Sequence, residues 1–274
     1  MSTLQRLTDA DVIFIASTVS PENAAGAAVR LRADEAWLDR MLDDDRVAHR
    51  LRDDTQAIAW VSPWLLFSVL LRSVRRELCG TSYTVEQFGG ERIAVFDARR
   101  AGELLADPRV ADYLVELLAS FTRISSFTVA VEEEGRVHRR RFSDVSSEDM
   151  LALAALVPDE LRFPFLRRIA DIALFTTGVF PESVLPWHAP PGRRSAHTGL
   201  PATVPWSARR TLEDYEEEGR RFYRLASEHV MAKRAGMAEL LATLADAFPL
   251  ARKPLSFMAS QYIGTSRMMI FGSS

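Results

Sequence analysis

FPFLRRIADIALFTTGVFPE, residues 163–182, decides the fold. Between residues 169 and 180 the apolar run is broken only by Asp171, Thr176, Thr177 and Gly178. Two stripes at helical spacing pass through the segment. One takes in Phe163, Leu166, Ala170, Ala173, Thr177 and Phe180; the other takes in Phe165, Ile169, Ile172, Thr176 and Val179. A helix that is apolar on more than one face must be covered on more than one face. The segment is therefore the expected central helix of a mainly α, multi-helix domain. Pro181 ends it, because the residue before a proline avoids the helical region.

The bulk numbers agree with that setting. A chain of 274 residues buries a substantial core, as one large domain or two small ones. Hydrophobic content of 47% with 26% charged residues is ordinary for a soluble globular protein. A net charge of −3 supplies no global field towards nucleic acid or anionic lipid. All but Lys233 and Lys253 of the 34 basic residues are arginine, which the codon usage of a GC-rich genome explains without a functional demand. The single cysteine, Cys79, excludes an intramolecular disulfide framework and suits a reducing cytoplasm. The N-terminus, MSTLQRLTDADVIF, lacks the basic and apolar regions of a secretory leader. The longest apolar runs, 60–71 and 169–180, hold 12 residues each, against about 20 for a membrane span.

Outward from the central helix, caps and breakers place the other elements. Thr8 to Asp11 start a first helix that ends before Pro21. Residues 33–52 make one or two amphipathic helices, with Trp37, Leu38, Met41, Leu42, Val47 and Leu51 inward. Ser62-Pro63 opens a helix that Gly80 stops. Two hairpins are expected, 81–87 with 92–96 about Gly89-Gly90, and 127–132 with 137–142 about Glu134-Gly135. Between them lie helices 98–105 and 109–121. Ser146 caps a helix over 150–156, and Thr211 caps one running to about Lys233. Helices 237–248 and 255–263 follow, with a frayed or locally docked tail. The chain thus divides into a helical core with two hairpins (1–184), an irregular Pro- and Arg-rich loop (185–210) and C-terminal helices packing back on the core (211–274).

Chemistry has few places to reside. Asp171 is the one charge inside the central apolar run, with Arg167 and Arg168 at i−4 and i−3 to pair it. Tyr215, Gly219, Tyr223 and His229 lie on or beside a stripe of the helix after the loop. Glycine inside a helix costs about 1 kcal/mol against alanine, so Gly219 needs a reason. Close approach of a neighbouring helix is one, with Gly178 as the matching flat spot; access for a ligand is the other. Asp171, Tyr215, Tyr223 and His229 are accordingly a core polar network or the polar groups of an interhelical ligand pocket. No Glu-x-x-His or His-x-x-x-His spacing occurs, so no metal and no cofactor are expected. Cys79 falls at the end of its helix, where the dipole disfavours a thiolate. No nucleophile elbow, P-loop or dinucleotide glycine pattern is present. The run Arg136, His138, Arg139, Arg140, Arg141 is expected to be neutralised across the hairpin by Glu132, Glu133 and Glu134.

ALFTTGVFPE at 173–182 and YEEEGRRFYRLA at 215–226 together resemble helical proteins of unassigned function from high-GC bacteria. In those, a similar helix ends in Phe-Pro and a later helix carries Tyr-x-x-x-Gly-x-x-x-Tyr. The resemblance implies that Gly178, Pro181, Tyr215, Gly219 and Tyr223 belong to one structural unit. It carries no activity, cofactor or catalytic residue.

The expectation is a cytoplasmic, non-enzymatic binding or scaffolding protein, acting through helical faces and a loop bearing Trp187, Arg193, Arg194 and Trp206. Tryptophan and arginine are the residue types of interface hot spots. The partner is a protein or a second copy of the chain; the composition argues against nucleic acid. The alternative is a small-ligand binder or enzyme, its pocket lying between the central helix and the Tyr215–His229 segment.

Overall fold

The computed structural model describes residues 3–88, 91–133, 136–184 and 210–272. Those residues form a mainly α fold with two antiparallel hairpins, as the periodicity predicts. Backbone contacts group the chain into two compact units that interleave along the sequence. The first takes Met1–Tyr83, Phe96–Arg123 and Phe257–Ser274; the second takes Thr84–Val95 and Ile124–Ser256.

In the first unit, α1 (Asp9–Val19) begins at a reciprocal capping box. The Thr8 hydroxyl accepts the Asp11 N–H at 3.2 Å, and the Asp11 carboxylate accepts the Thr8 N–H at 2.8 Å. The other oxygen of Asp11, a fully buried residue, accepts the Ser62 N–H at 2.7 Å. Ser62 in turn caps α6 (Pro63–Gly80), so one carboxylate ties the starts of two helices distant in sequence. Between them lie α2 (Ala24–Ala33), α3 (Glu35–Leu42), α4 (Asp45–Asp53) and α5 (Thr55–Trp60), started by the side chains of Asn23, Asp34, Asp44 and Asp54. The expected segment 33–52 is thus two helices, α3 and α4. α6 (Pro63–Gly80) buries both flanks of its apolar stripe, from Leu65 to Leu78. Its outer arginines meet the α3–α4 corner: Arg72 reaches Asp39 (2.5 Å) and Asp43 (2.7 Å), and Arg76 reaches Asp45 (2.8 Å). α7 (Ala98–Leu104) and α8 (Pro108–Ser120) complete this run, and α8 buries Val110, Tyr113, Leu114, Leu117 and Leu118.

The α4 cap has a pH signature. The Arg46 guanidinium and backbone N–H donate to Asp44, whose carboxyl is held below the usual carboxylate range. A carboxyl depressed in the folded state stabilises above its unfolded value near pH 4, and that contribution is lost as pH falls through the folded value. Asp44→Ala should therefore cost about 1 kcal/mol at pH 7, typical of a lost cap, and less at pH 3. Urea unfolding of both proteins at the two pH values checks this; an equal gap at both would show that the charge is not involved.

The second unit holds the hairpins β1–β2 (Thr84–Phe88, Glu91–Val95) and β3–β4 (Ser126–Glu133, Arg136–Ser143). α9 (Ser147–Leu156) starts at Ser146, whose hydroxyl accepts the Asp149 N–H. α10 (Phe163–Val179) is the expected central helix, buried on several faces from Ile169 to Val179; its first turns, with Phe163, Phe165 and Leu166, are only half-buried. α11 (Leu212–Glu228) starts at a second reciprocal box between Thr211 and Asp214. It stops at Glu228 instead of running to Lys233, because the His229 ring caps a new helix, α12 (Val230–Arg234). α13 (Ala238–Asp246) and α14 (Phe248–Met258) follow.

α14 explains both helix glycines. A Cβ on Gly178 would stand 2.7 Å from Leu255 Cβ, and one on Gly219 would stand 2.2 Å from the Phe248 ring. The sequence suggests that the two glycines match each other; the nearest neighbour of each is instead a side chain of α14, Phe248 for Gly219 and, two turns later, Leu255 for Gly178. Ser256 adds a hydrogen bond to the Gly178 carbonyl at 3.1 Å, satisfying one of the last carbonyls of α10. The chain ends in the first unit with a π-helical turn, Ala259–Ile263, and α15 (Arg267–Phe271). The tail is docked, with Phe271 buried and stacked on Phe67 at 5.5 Å.

Candidate interaction surface

Two of the four sequence-picked polar groups come together. Tyr223, fully buried on α11, donates its hydroxyl to Asp171 of α10 at 2.8 Å. The other carboxylate oxygen of Asp171 faces the Arg167 Nε at 3.8 Å, one helical turn away. Arg168 turns elsewhere, donating to the Asp144 carbonyl at 2.8 Å. The pair lies inside the α10–α11 packing, with the acid only 5% exposed. A buried carboxylate with a hydroxyl donor and a guanidinium neighbour meets the demands of burial by itself.

Tyr215 and His229 are held by partners of their own. Tyr215 sits under the Arg210 guanidinium, 4.0 Å from the ring centre, and burial pushes its hydroxyl up from its ordinary value. His229 Nε2 lies 2.7 Å from the Asp159 carbonyl, which can only accept, so that nitrogen carries the proton. Its Nδ1 then accepts the Met231 N–H at 3.1 Å, and the ring packs on Phe163 at 5.8 Å. Both nitrogens of this histidine are occupied in joining α11 and α12 to the turn at Asp159–Leu161.

The hairpin register sets directly opposite a glutamate only the first arginine of the run. The β3–β4 register sets Glu133 opposite Arg136 but Glu132 opposite Val137, and Arg139, Arg140 and Arg141 face Ala130, Val129 and Thr128. Arg140 approaches Asp149 (3.6 Å), and Arg141 bonds Ser126. Cys79 is exposed at the last turn of α6. Among the described residues no group of three or more His, Cys, Asp or Glu side chains is gathered as a metal site requires. No helix of the described residues is long and apolar enough to cross a membrane. Trp187, Arg193, Arg194 and Trp206 lie outside the described residues.

A surface that the sequence reading missed is apolar. α9 is apolar nearly all round: Met150, Leu153 and Ala154 are buried, whereas Leu151 and Leu156 are 53% and 51% exposed. The turn after α9 exposes Leu161 to 59%, and the α11–α12 junction exposes Val230 and Met231. The Asp159–His229 hydrogen bond ties that turn to that junction. The signal lay in LALAAL at 151–156, a short helix with more apolar faces than its neighbours cover. Compared with family models, curated proteins and solved structures, the chain matches none.

Proposed function

We propose that this chain is a non-enzymatic binding protein that docks a protein partner on the apolar side of its second unit. The observation that carries the reading is the exposure of Leu151, Leu156 and Leu161 on α9 and the turn after it, and of Val230 and Met231 at the junction that the Asp159–His229 hydrogen bond joins to that turn. Scattered exposed leucines need no explanation, but a grouped set on adjoining elements is typical of an interaction site. The partner contact suited to such a surface is an apolar segment, held by burial of side chains. The occupied nitrogens of His229 and the packed Asp171–Tyr223 pair favour binding over chemistry at these residues. The lone thiol supports a reducing compartment such as the cytoplasm.

A photo-reactive side chain at position 156, compared with one at the exposed Ile13 of the first unit, tests the reading in cells. Cross-linking to a defined protein is expected at 156 and not at 13, and Leu151→Lys with Leu161→Lys should abolish it. The same substitutions should leave stability within about 0.5 kcal/mol, since the leucines already face solvent. Equal cross-linking at both positions, or a contact that survives the lysines, would refute the docking face.

A further inference from the structure

The outer face of α11 carries a second, different pattern. Six residues line a shallow open groove along it: Glu213, Glu216, Glu217, Arg220, Arg221 and Arg224. Their spacing of three and four keeps them on one side of the helix. Their signs are ordered, three acids followed by three bases. The order is also mirror-related about the point between residues 218 and 219: Glu213 corresponds to Arg224, Glu216 to Arg221, and Glu217 to Arg220.

We propose that this face is a contact between two copies of the chain, with the two α11 helices antiparallel about a two-fold axis near residues 218 and 219. In that arrangement every acid lies level with a base of the other copy; a parallel pairing would set acid against acid and base against base. The order of charges therefore selects the antiparallel sense, which is the role that complementary charges play best at interfaces. An isologous contact needs a self-complementary patch, and an antisymmetric row of charges is one.

The bland account of such a helix is internal pairing at i, i+4, and the structure does not adopt it. Glu216 and Arg220, and likewise Glu217 and Arg221, stand in the favoured order for an intrahelical ion pair, yet neither pair forms. Glu216 turns instead to the buried Arg252 at 3.0 Å, and Arg224 pairs with Asp246. Arg221 lies against the ring of Phe222. Glu217 and Arg220, the couple nearest the proposed axis, are both exposed and make no ion pair with any described residue. Six residues a side fall short of the twenty or more of a stable interface, so the association is weak and depends on salt. This inference goes beyond the apolar docking face and stands or falls without it.

Sedimentation velocity at about 50 mM and about 500 mM salt tests it, since the screening length, about 10 Å at 0.1 M, shortens as salt rises. The wild-type chain should associate at low salt, and its association constant should fall several-fold at high salt. Glu217→Arg and Arg220→Glu should each weaken association. An equimolar mixture of the two should restore it, because the first then offers two bases to the second's two acids. All these positions are exposed, and circular dichroism confirms that the variants fold. A monomer at low salt, a dimer indifferent to both substitutions, or a mixture no tighter than its components would each overturn the proposal.

Discussion

Gly219→Ala should destabilise the second unit by about 1–3 kcal/mol, although alanine is the better helix former by about 1 kcal/mol. Steric overlap outweighs propensity here because the new methyl would stand 2.2 Å from one ring carbon of Phe248 and 2.4 Å from the next. Phe248 is fully buried and tilted against Tyr223 at 6.1 Å, so its ring has nowhere to rotate without displacing a second aromatic core residue. The sign should reverse when the ring is removed. Phe248→Ala alone should cost about 3–5 kcal/mol through the cavity it leaves. Adding Gly219→Ala to that variant should recover part of the loss. Urea unfolding of the four proteins gives the coupling, expected at about 2 kcal/mol. A Gly219→Ala protein as stable as the wild type would mean that α14 does not seat on this glycine.

That seat shows where the sequence stops being legible. Gly178 and Gly219 announce close approach through composition alone, since an interior helix glycine needs a neighbour. The neighbour is another matter. Phe248 and Leu255 meet them across 29 and 77 residues of chain, and no local spacing encodes such a pairing. The same holds for Asp11, legible as a capping acid from Thr8-Asp9-Ala10-Asp11 but not as the acceptor for Ser62. Local signals did better where one residue type decides the outcome: Thr8, Ser62, Ser146 and Thr211 all start the helices their sequence positions predict.

Other differences have particular causes. α11 shows no break in periodicity at His229; the helix ends because an imidazole serves as cap and cross-tie at once, which depends on the distant Asp159 carbonyl. α2 and α5 leave little trace in the sequence, because one is an alanine-rich segment with little amphipathic pattern and the other is only six residues long. The hairpin register was within reach of arithmetic. With Glu133 opposite Arg136, residues 132 and 133 oppose only 136 and 137, so Arg139 to Arg141 face Ala130 to Thr128. The picked polar residues were legible as a group that must be satisfied; which of them meet was set by the mutual rotation of α10 and α11, which brings Tyr223 onto Asp171 and leaves Tyr215 and His229 to other partners.

Tyr223→Phe should cost about 1–3 kcal/mol, and Asp171→Leu at least as much, because each leaves the other member of a buried pair without its partner. Removing the tyrosine hydroxyl strips a hydrogen bond from a carboxylate that is 5% exposed. Removing the carboxylate strands a hydroxyl on a residue with no exposure at all. The combined variant should lose less than the sum by about 1 kcal/mol or more, since an apolar pair of similar volume has no polar atom left to satisfy. Arg167, the third member, has a side chain that is 39% exposed, so the guanidinium as a whole is not stranded in the core when its acid is gone. Thermal unfolding of the three variants beside the wild type measures the coupling. A group kept for ligand binding is held in place at a cost to the fold, so its removal stabilises. If Asp171→Leu raised the melting temperature, the core-network account of this pair would fail and the interhelical pocket would become the better reading of α10 and α11. A loss shared between Asp171 and Tyr223 would instead fix the pair as the polar pin that sets how α11 lies on α10. The two proposed contact surfaces, the α9 leucines and the α11 charges, would then be presented by a frame whose own interior is structural.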